Sequence, residues 1–218
     1  MTALKKQKTY KPVLQIAEDV FLSSDYVGKC AAAGIKCVPT GTETVVIEIP
    51  YFDENITIGI PKFSFESSKS ANVTLVTRII LLHYINTASG IPLTGEKVGY
   101  DDIPSCLHYE PVFEKRVLKP LRNAFGSDKH TFLEAGLALG GKKEEYGDAS
   151  FTLFALPKIP ITFVLWEGDE EFPPSAKALF DPSIVGYLPL EDIVVIAKLA
   201  ASRILKTAHK QHYTETEA

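Results

Sequence analysis

Four carboxylates crowd into five positions of the stretch Trp166-Glu167-Gly168-Asp169-Glu170-Glu171-Phe172-Pro173-Pro174, around a single glycine. Hard cations such as Ca²⁺ or Mg²⁺ take oxygen ligands from flexible acidic loops, which makes Asp169 and Glu171 candidate metal ligands. The spacing is not that of an EF-hand, whose ligands alternate along a longer loop. The same acids suit the start of a helix near Pro174 and Ser175, where the positive end of the dipole favours negative charge. Capping is the favoured reading.

A second candidate is His83, inside the almost wholly apolar run Val73 to Ile85. On a helix it falls between Ile79 and Val76. A buried imidazole needs a hydrogen-bond partner or a metal. A partnered core histidine is the favoured outcome, and His83 is the residue to test as axial or inner-shell ligand of a tetrapyrrole or a transition metal. Cys106, His108 and Glu110 set sulfur, imidazole and carboxylate within five residues, but no second ligand pair accompanies them. Cys30 and Cys37 fit neither a zinc knuckle nor an iron-sulfur run and are read as small packing residues.

Other motifs fail on their own chemistry. Asp128-Lys129-His130 opens like a corrinoid-binding motif, but Leu133 stands where its glycine belongs. Gly140-Gly141-Lys142-Lys143 lacks the spaced first glycine and the hydroxyl residue of a phosphate loop. No Gly-x-Ser-x-Gly elbow is present, so nucleophilic hydrolysis has no support.

Composition narrows the classes. With 218 residues, 45% hydrophobic and 23% charged, the chain has enough apolar surface to fold without a metal or a disulfide. A net charge of -4 gives no electrostatic reason to approach nucleic acid or an anionic membrane. An odd number of cysteines and no apolar signal core after Met1 point to the reducing cytoplasm. The apolar run that holds His83 is too short to cross a bilayer and is read as a core helix.

The elements that must position these residues follow from periodicity. Tyr10 to Phe21 has helical spacing with Pro12 in its first turn. Thr44–Ile49 and Asn55–Ile60 are β-branched strands forming a hairpin, and Asn72 is the expected cap of the helix that follows. Glu110 to Phe125 is helical and interrupted by Pro120. Asp128 caps a helix over 129–139, closed by Gly140-Gly141. Strands at 150–156 and 160–166 flank a tight turn, and a helix over 190–206 shows an apolar stripe at Ile193, Ile196, Ala197, Ala200 and Ile204. The expectation is an α+β fold: an antiparallel sheet from two hairpins, about 44–61 and 149–167, covered by helices and enclosing a helical middle segment. Residues 1–208 form one globular domain and 209–218 a flexible polar tail.

A set of motifs in this order resembles a known family: Leu81-Leu82-His83-Tyr84, Tyr109 with Phe113-Glu114, Pro120-Leu121, Phe125-Gly126, Gly140-Gly141, Gly147-Asp148-Ala149-Ser150, Trp166-Glu167-Gly168-Asp169-Glu170-Glu171-Phe172-Pro173, Leu179-Phe180-Asp181 and Leu190-Glu191-Asp192. Over about Val45 to Leu205 the chain resembles the uncharacterised prokaryotic family catalogued as domain of unknown function 3786. The resemblance implies a setting in anaerobic bacteria and archaea, near redox or one-carbon cofactor chemistry. Some members carry an iron-sulfur module ahead of this domain; only Cys30 and Cys37 precede Val45 here, so no cluster is expected.

Through the resemblance, His83, Tyr109, Arg116, Asp169, Glu171 and Asp181 match the family at polar positions, where function is more often carried than at packing positions. The leading expectation is a non-catalytic accessory protein that binds a corrinoid, a tetrapyrrole or a metal ion. His83, Tyr109, Arg116 and Trp166 would face the cofactor, and Asp169, Glu171 and Asp181 would hold a metal. One alternative is a small-molecule enzyme with Asp169, Glu171 or Asp181 as acid or base and Arg116 as anion clamp. Another is an interaction module docking on a redox or one-carbon enzyme complex through the acidic turn. Partners are then a small-molecule cofactor or that complex, with no nucleic acid and no membrane.

Overall fold

The computed structural model describes residues 3–41, 44–69, 72–104 and 106–216. The fold is α+β, with two antiparallel sheets. Contacts divide the chain into two compact units: Met1–Pro92 with Leu156–Lys158 and Ser183–Pro189, and Leu93–Ala155 with Ile159–Pro182 and Leu190–Ala218.

The first unit opens with helices α1 (Ala3–Ser23) and α2 (Tyr26–Ala32), so Pro12 lies inside α1 and not in its first turn. A four-stranded meander follows: β1 (Lys36–Pro39), β2 (Val45–Tyr51), β3 (Glu54–Ile60) and β4 (Ser64–Ser67), in that spatial order. The first expected hairpin is β2–β3, with Tyr51 opposite Glu54. Period-two alternation buries Val45, Ile47, Ile49 and Tyr51 on β2 with Ile56, Ile58 and Ile60 on β3. Helix α3 (Leu75–Thr87) starts later than its apolar run: Thr74, and not Asn72, is the cap, its hydroxyl accepting from Thr77 N–H at 3.2 Å. It packs against α1, where Asn86 Nδ2 donates to Ala17 C=O. Tyr84 is buried on α3; its hydroxyl donates to Ala33 C=O at 2.6 Å and accepts from Lys158 N–H.

The second unit carries a five-stranded sheet in the order β5 (Val98–Gly99), β9 (Ser175–Phe180), β8 (Ile159–Trp166), β7 (Ala149–Leu156) and β6 (Lys142–Glu144). The second expected hairpin is β7–β8, but it belongs to this sheet while β2–β3 belongs to the other. The single sheet expected from the two hairpins is thus corrected to two. Short local strands pair with the edges of each hairpin, β1 and β4 in one sheet and β6 and β9 in the other.

Strand β9 overturns the helix expected at Pro174 and Ser175. Ala and Lys favour helix over strand. Yet Ala176, Ala178 and Phe180 are buried while Ser175 and Lys177 are exposed, and β9 pairs with β8 from Trp166↔Ser175 to Ile161↔Phe180. Pairing across the sheet outweighs local preference.

The helical segment of this unit is α4 (Glu110–Phe113), a π-helical turn at Glu114–Leu118, α5 (Lys119–Phe125), and α6 (Lys129–Ala138). Pro120 has no N–H to donate. The ladder is interrupted just before it, where Lys119 N–H reaches back five residues to Glu114 C=O. Asp128 caps α6 as expected, accepting from Thr131 N–H at 3.0 Å. Gly136 lets α6 approach β7, since a Cβ there would stand 2.4 Å from the Phe151 ring. The rings of Phe125, Phe132, Phe151 and Phe163 form a chain of contacts from α5 through α6 into the sheet. Helix α7 (Leu190–Thr216) buries the predicted stripe and continues past Lys206. No helix among the described residues is long and apolar enough to cross a membrane.

Candidate functional site

The acidic turn is built as a brace. Glu167 accepts at Oε1 from Lys129 N–H, 3.0 Å, while its Oε2 lies 3.1 Å from Lys129 Nζ, so it caps a helix: α6, and not one at Pro174. The Lys129 backbone N–H, reinforced by the Lys129 side chain, holds the Glu167 carboxyl below the usual range, and Glu167 in turn raises Lys129. Glu167 N–H donates to Asp148 Oδ2 at 2.8 Å, and Gly168 N–H donates to Gly126 C=O. Asp169 folds its own loop: Oδ1 accepts from Phe172 N–H and Glu171 N–H at 2.7 and 2.8 Å, which lowers its pKa. Gly147 fits beneath at φ +57°, where an added Cβ would stand 2.7 Å from Leu165 O.

Asp169 and Glu171 are exposed at one end of β9, and Asp181 is buried at the other. Six strand residues separate them, roughly 20 Å at the rise of a β-strand. Asp181 accepts from Gly95 N–H at 2.8 Å and anchors the segment before β5. Among the described residues, no group of three or more His, Cys, Asp or Glu is placed to hold a metal ion.

The cofactor candidates are carried by different elements. His83 is half-buried on α3 of the first unit. Tyr109, at the start of α4, is 36% exposed and donates from its hydroxyl to Glu191 Oε1 at 3.3 Å. Arg116 is exposed on the π-helical turn and has no ion pair among the described residues; Glu114 there pairs with Arg122. Trp166 ends β8, half-buried, with its ring close over Gly147. Cys106 is fully buried beside Tyr100; burial pushes both groups up in pKa, as expected of an inert thiol. His108 and Glu110 are exposed.

What the structure assembles instead is a cleft on the outer face of the second sheet, about 260 Å³, lined by Lys97, Lys142, Glu144, Thr152, Phe154 and Leu179 among others. Lys97 Nζ lies 3.1 Å from Glu144 Oε2 and 4.9 Å from the centre of the Tyr146 ring, which steadies the ammonium from a second side. Thr152 Oγ1 donates to Glu144 Oε1 at 2.7 Å and lies 2.7 Å from Thr162 Oγ1. The Thr152 hydroxyl, with Lys97 behind it, keeps Glu144 ionised by lowering its pKa. An ionised carboxylate only accepts, so Thr152 gives it its proton and Thr162 must be the donor between the two threonines. The order is fixed: Thr162 to Thr152 to Glu144, with Lys97 on the far oxygen.

Sequence reasoning missed all four residues. The available signal was polar residues at strand positions of one parity, Lys142 and Glu144 on β6, Thr152 on β7 and Thr162 on β8, opposite in parity to the buried Phe151, Leu153, Ile161 and Phe163. That pattern shows only once the strands are in register, with Lys142 across from Thr152.

No curated protein and no solved structure matches the chain. A family model does, over residues 29–203, and that span takes in the acidic brace and the cleft: the chain belongs to the family described as Domain of unknown function (DUF3786).

Proposed function

We propose that the protein is a non-catalytic accessory protein that binds a small zwitterionic molecule in the cleft at Lys97 and Glu144. The observation that carries this reading is the half-buried ion pair beside a cavity, with hydrogen-bonding capacity left over. Lys97 has three donors and Glu144 about four acceptor sites, and their mutual contact uses a minority of them. A ligand carboxylate would meet Lys97 and Lys142, and a ligand ammonium would meet Glu144 and Glu96. Phe154, 53% exposed, and Leu179 offer the apolar wall that small-molecule sites use for contact area. The volume lies just below the roughly 300–1,000 Å³ of drug-sized pockets and suits a molecule of amino-acid size.

Two of the three acids suggested for acid-base work are already engaged by backbone donors, Asp169 by two N–H groups and Asp181 by Gly95. That favours binding over turnover. The wider form of the reading, a corrinoid, tetrapyrrole or metal ion near His83 in support of a redox or one-carbon enzyme complex, rests on the sequence resemblance, and a visible spectrum of anaerobically purified protein tests it.

Titration calorimetry with glycine, glutamate and lysine tests the cleft. At least one is expected to bind, and Lys97→Met is expected to weaken that binding at least tenfold while the fold persists. Equal heats from wild type and Lys97→Met would overturn the assignment.

A further inference from the structure

The first unit holds a pair of thiols that the spacing of the sequence conceals. Helix α2 ends at Ala32; Gly34 then takes φ +71°, a left-handed conformation that glycine adopts without strain, and reverses the chain. The reversal is closed by Gly34 N–H to Ala31 C=O and Ile35 N–H to Cys30 C=O, both 3.0 Å. The second bond ties the start of the outgoing strand to the residue that carries the first thiol. Along an extended chain, side chains at positions two apart share a side, so Cys37 lies on the side of Ile35 while Lys36 and Val38 face away. Burial agrees: Ile35 is buried and Cys37 half-buried, while Lys36 and Val38 are exposed. The turn thus brings the side chains of Cys30 and Cys37 close enough for the two thiols to interact. Cys30 is 0% exposed, and Cys37 is the one that solvent reaches.

We propose that Cys30 and Cys37 form a covalent modification site, a dithiol that closes to an intramolecular disulfide by exchange with a low-molecular-weight disulfide. The Cys37 thiolate attacks one sulfur of the external disulfide, forming a mixed disulfide and expelling one small thiolate. Cys30 then gives its proton to solvent and attacks the Cys37 sulfur, expelling the second small thiolate. The protein loses two electrons and two protons, and the external disulfide gains them as two thiols. Burial raises both protein thiols, Cys30 to about 12, so the exchange is slow at neutral pH. A thiol that is a weak acid is also a poor leaving group, so the closed bond reopens slowly. Closure spans the α2–β1 turn, whose residues Gly34, Ile35 and Lys36 line a cavity of about 360 Å³ together with Glu48 and Thr57.

The test uses the full chain and oxidised glutathione in mildly alkaline buffer, followed by denaturation, thiol counting and intact mass. The three thiols of the chain are expected to fall to one, Cys106, with a mass lower by two hydrogens and no retained glutathione. Cys37→Ser should keep both remaining thiols free. Cys30→Ser should accumulate glutathione on Cys37; if that variant does not fold, wild type and Cys37→Ser decide the matter. Three free thiols in the oxidised wild type would overturn the proposal, as would a stable glutathione adduct on Cys37 beside a free Cys30.

Discussion

The acidic turn and the Lys97–Glu144 cleft both gather charge on the second sheet, and they use it in opposite ways. In the turn, carboxylates face the backbone: Glu167 closes the start of α6 and Asp169 satisfies two N–H groups of its own loop. In the cleft, the charges pair with each other beside a cavity, backed by two threonine hydroxyls. A carboxylate already holding backbone donors has little capacity for a ligand. An ion pair with spare donors and acceptors facing open space retains that capacity. The density of charge along the chain therefore points to the region that stabilises the fold, and a sparser set of polar residues marks the region that offers a site.

The comparison can be broken at several places. The largest expected effect is on the brace: Gly147→Ala puts a Cβ on a left-handed residue and against Leu165 O, at a cost of about 3 kcal/mol from strain and overpacking. A denaturant midpoint close to wild type would show that the turn is not the rigid support described. Next comes Thr152→Val in the cleft, which leaves the Thr162 hydroxyl, 2% exposed, without its partner and should cost about 1–2 kcal/mol. It should also weaken ligand binding, a change that Gly147→Ala would not produce in the molecules that stay folded. Asp128→Ala removes the side-chain cap of α6 and should cost about 1 kcal/mol. Paired with Glu167→Gln it should show non-additive losses, because both carboxylates serve the same helix end.

Acid should act on both regions through the same sign. Glu167, Asp169 and Glu144 all titrate below their ordinary values of 4.5, 3.8 and 4.5 in the folded chain. Their contribution to stability is therefore complete above those values and is lost as pH falls through the folded ones. Thermal melts should be flat near neutrality and decline below about pH 4.5; a decline that begins well above that would point to other groups. The smallest effect belongs to Asp169→Asn. Asparagine keeps the side-chain oxygen that accepts from residues two and three ahead, so the turn should persist and both stability and binding should stay near wild type. Loss of binding in that variant would move the site back to the acidic turn.

Much of the fold was legible before any coordinates, because it is set by local periodicity. The alternation in β2 and β3, the stripe of α7, the Asp128 cap and the two hairpins all follow from neighbours within a few residues. What failed was non-local. Ser175–Phe180 has the composition of a helix and becomes a strand because β8 offers it a complete ladder. Glu167 caps a helix that starts 38 residues earlier in the chain. The candidate site was less legible still: Asp169 and Asp181 are close in sequence and lie at opposite ends of β9, whereas Lys97, Glu144, Thr152 and Thr162 are scattered in sequence and meet in one cleft.

The sequence by itself determined the two hairpins, the helices around His83, after Asp128 and at the end of the chain, and which of their faces are apolar, since those depend on backbone sterics and on the 3.6- and two-residue periods. Only the tertiary structure decided that the hairpins enter separate sheets, that the acidic turn is a brace, and that a lysine, a glutamate and two threonines share a cleft. Strand order and side-chain convergence depend on which surfaces bury one another, and that choice is made between segments far apart in the chain.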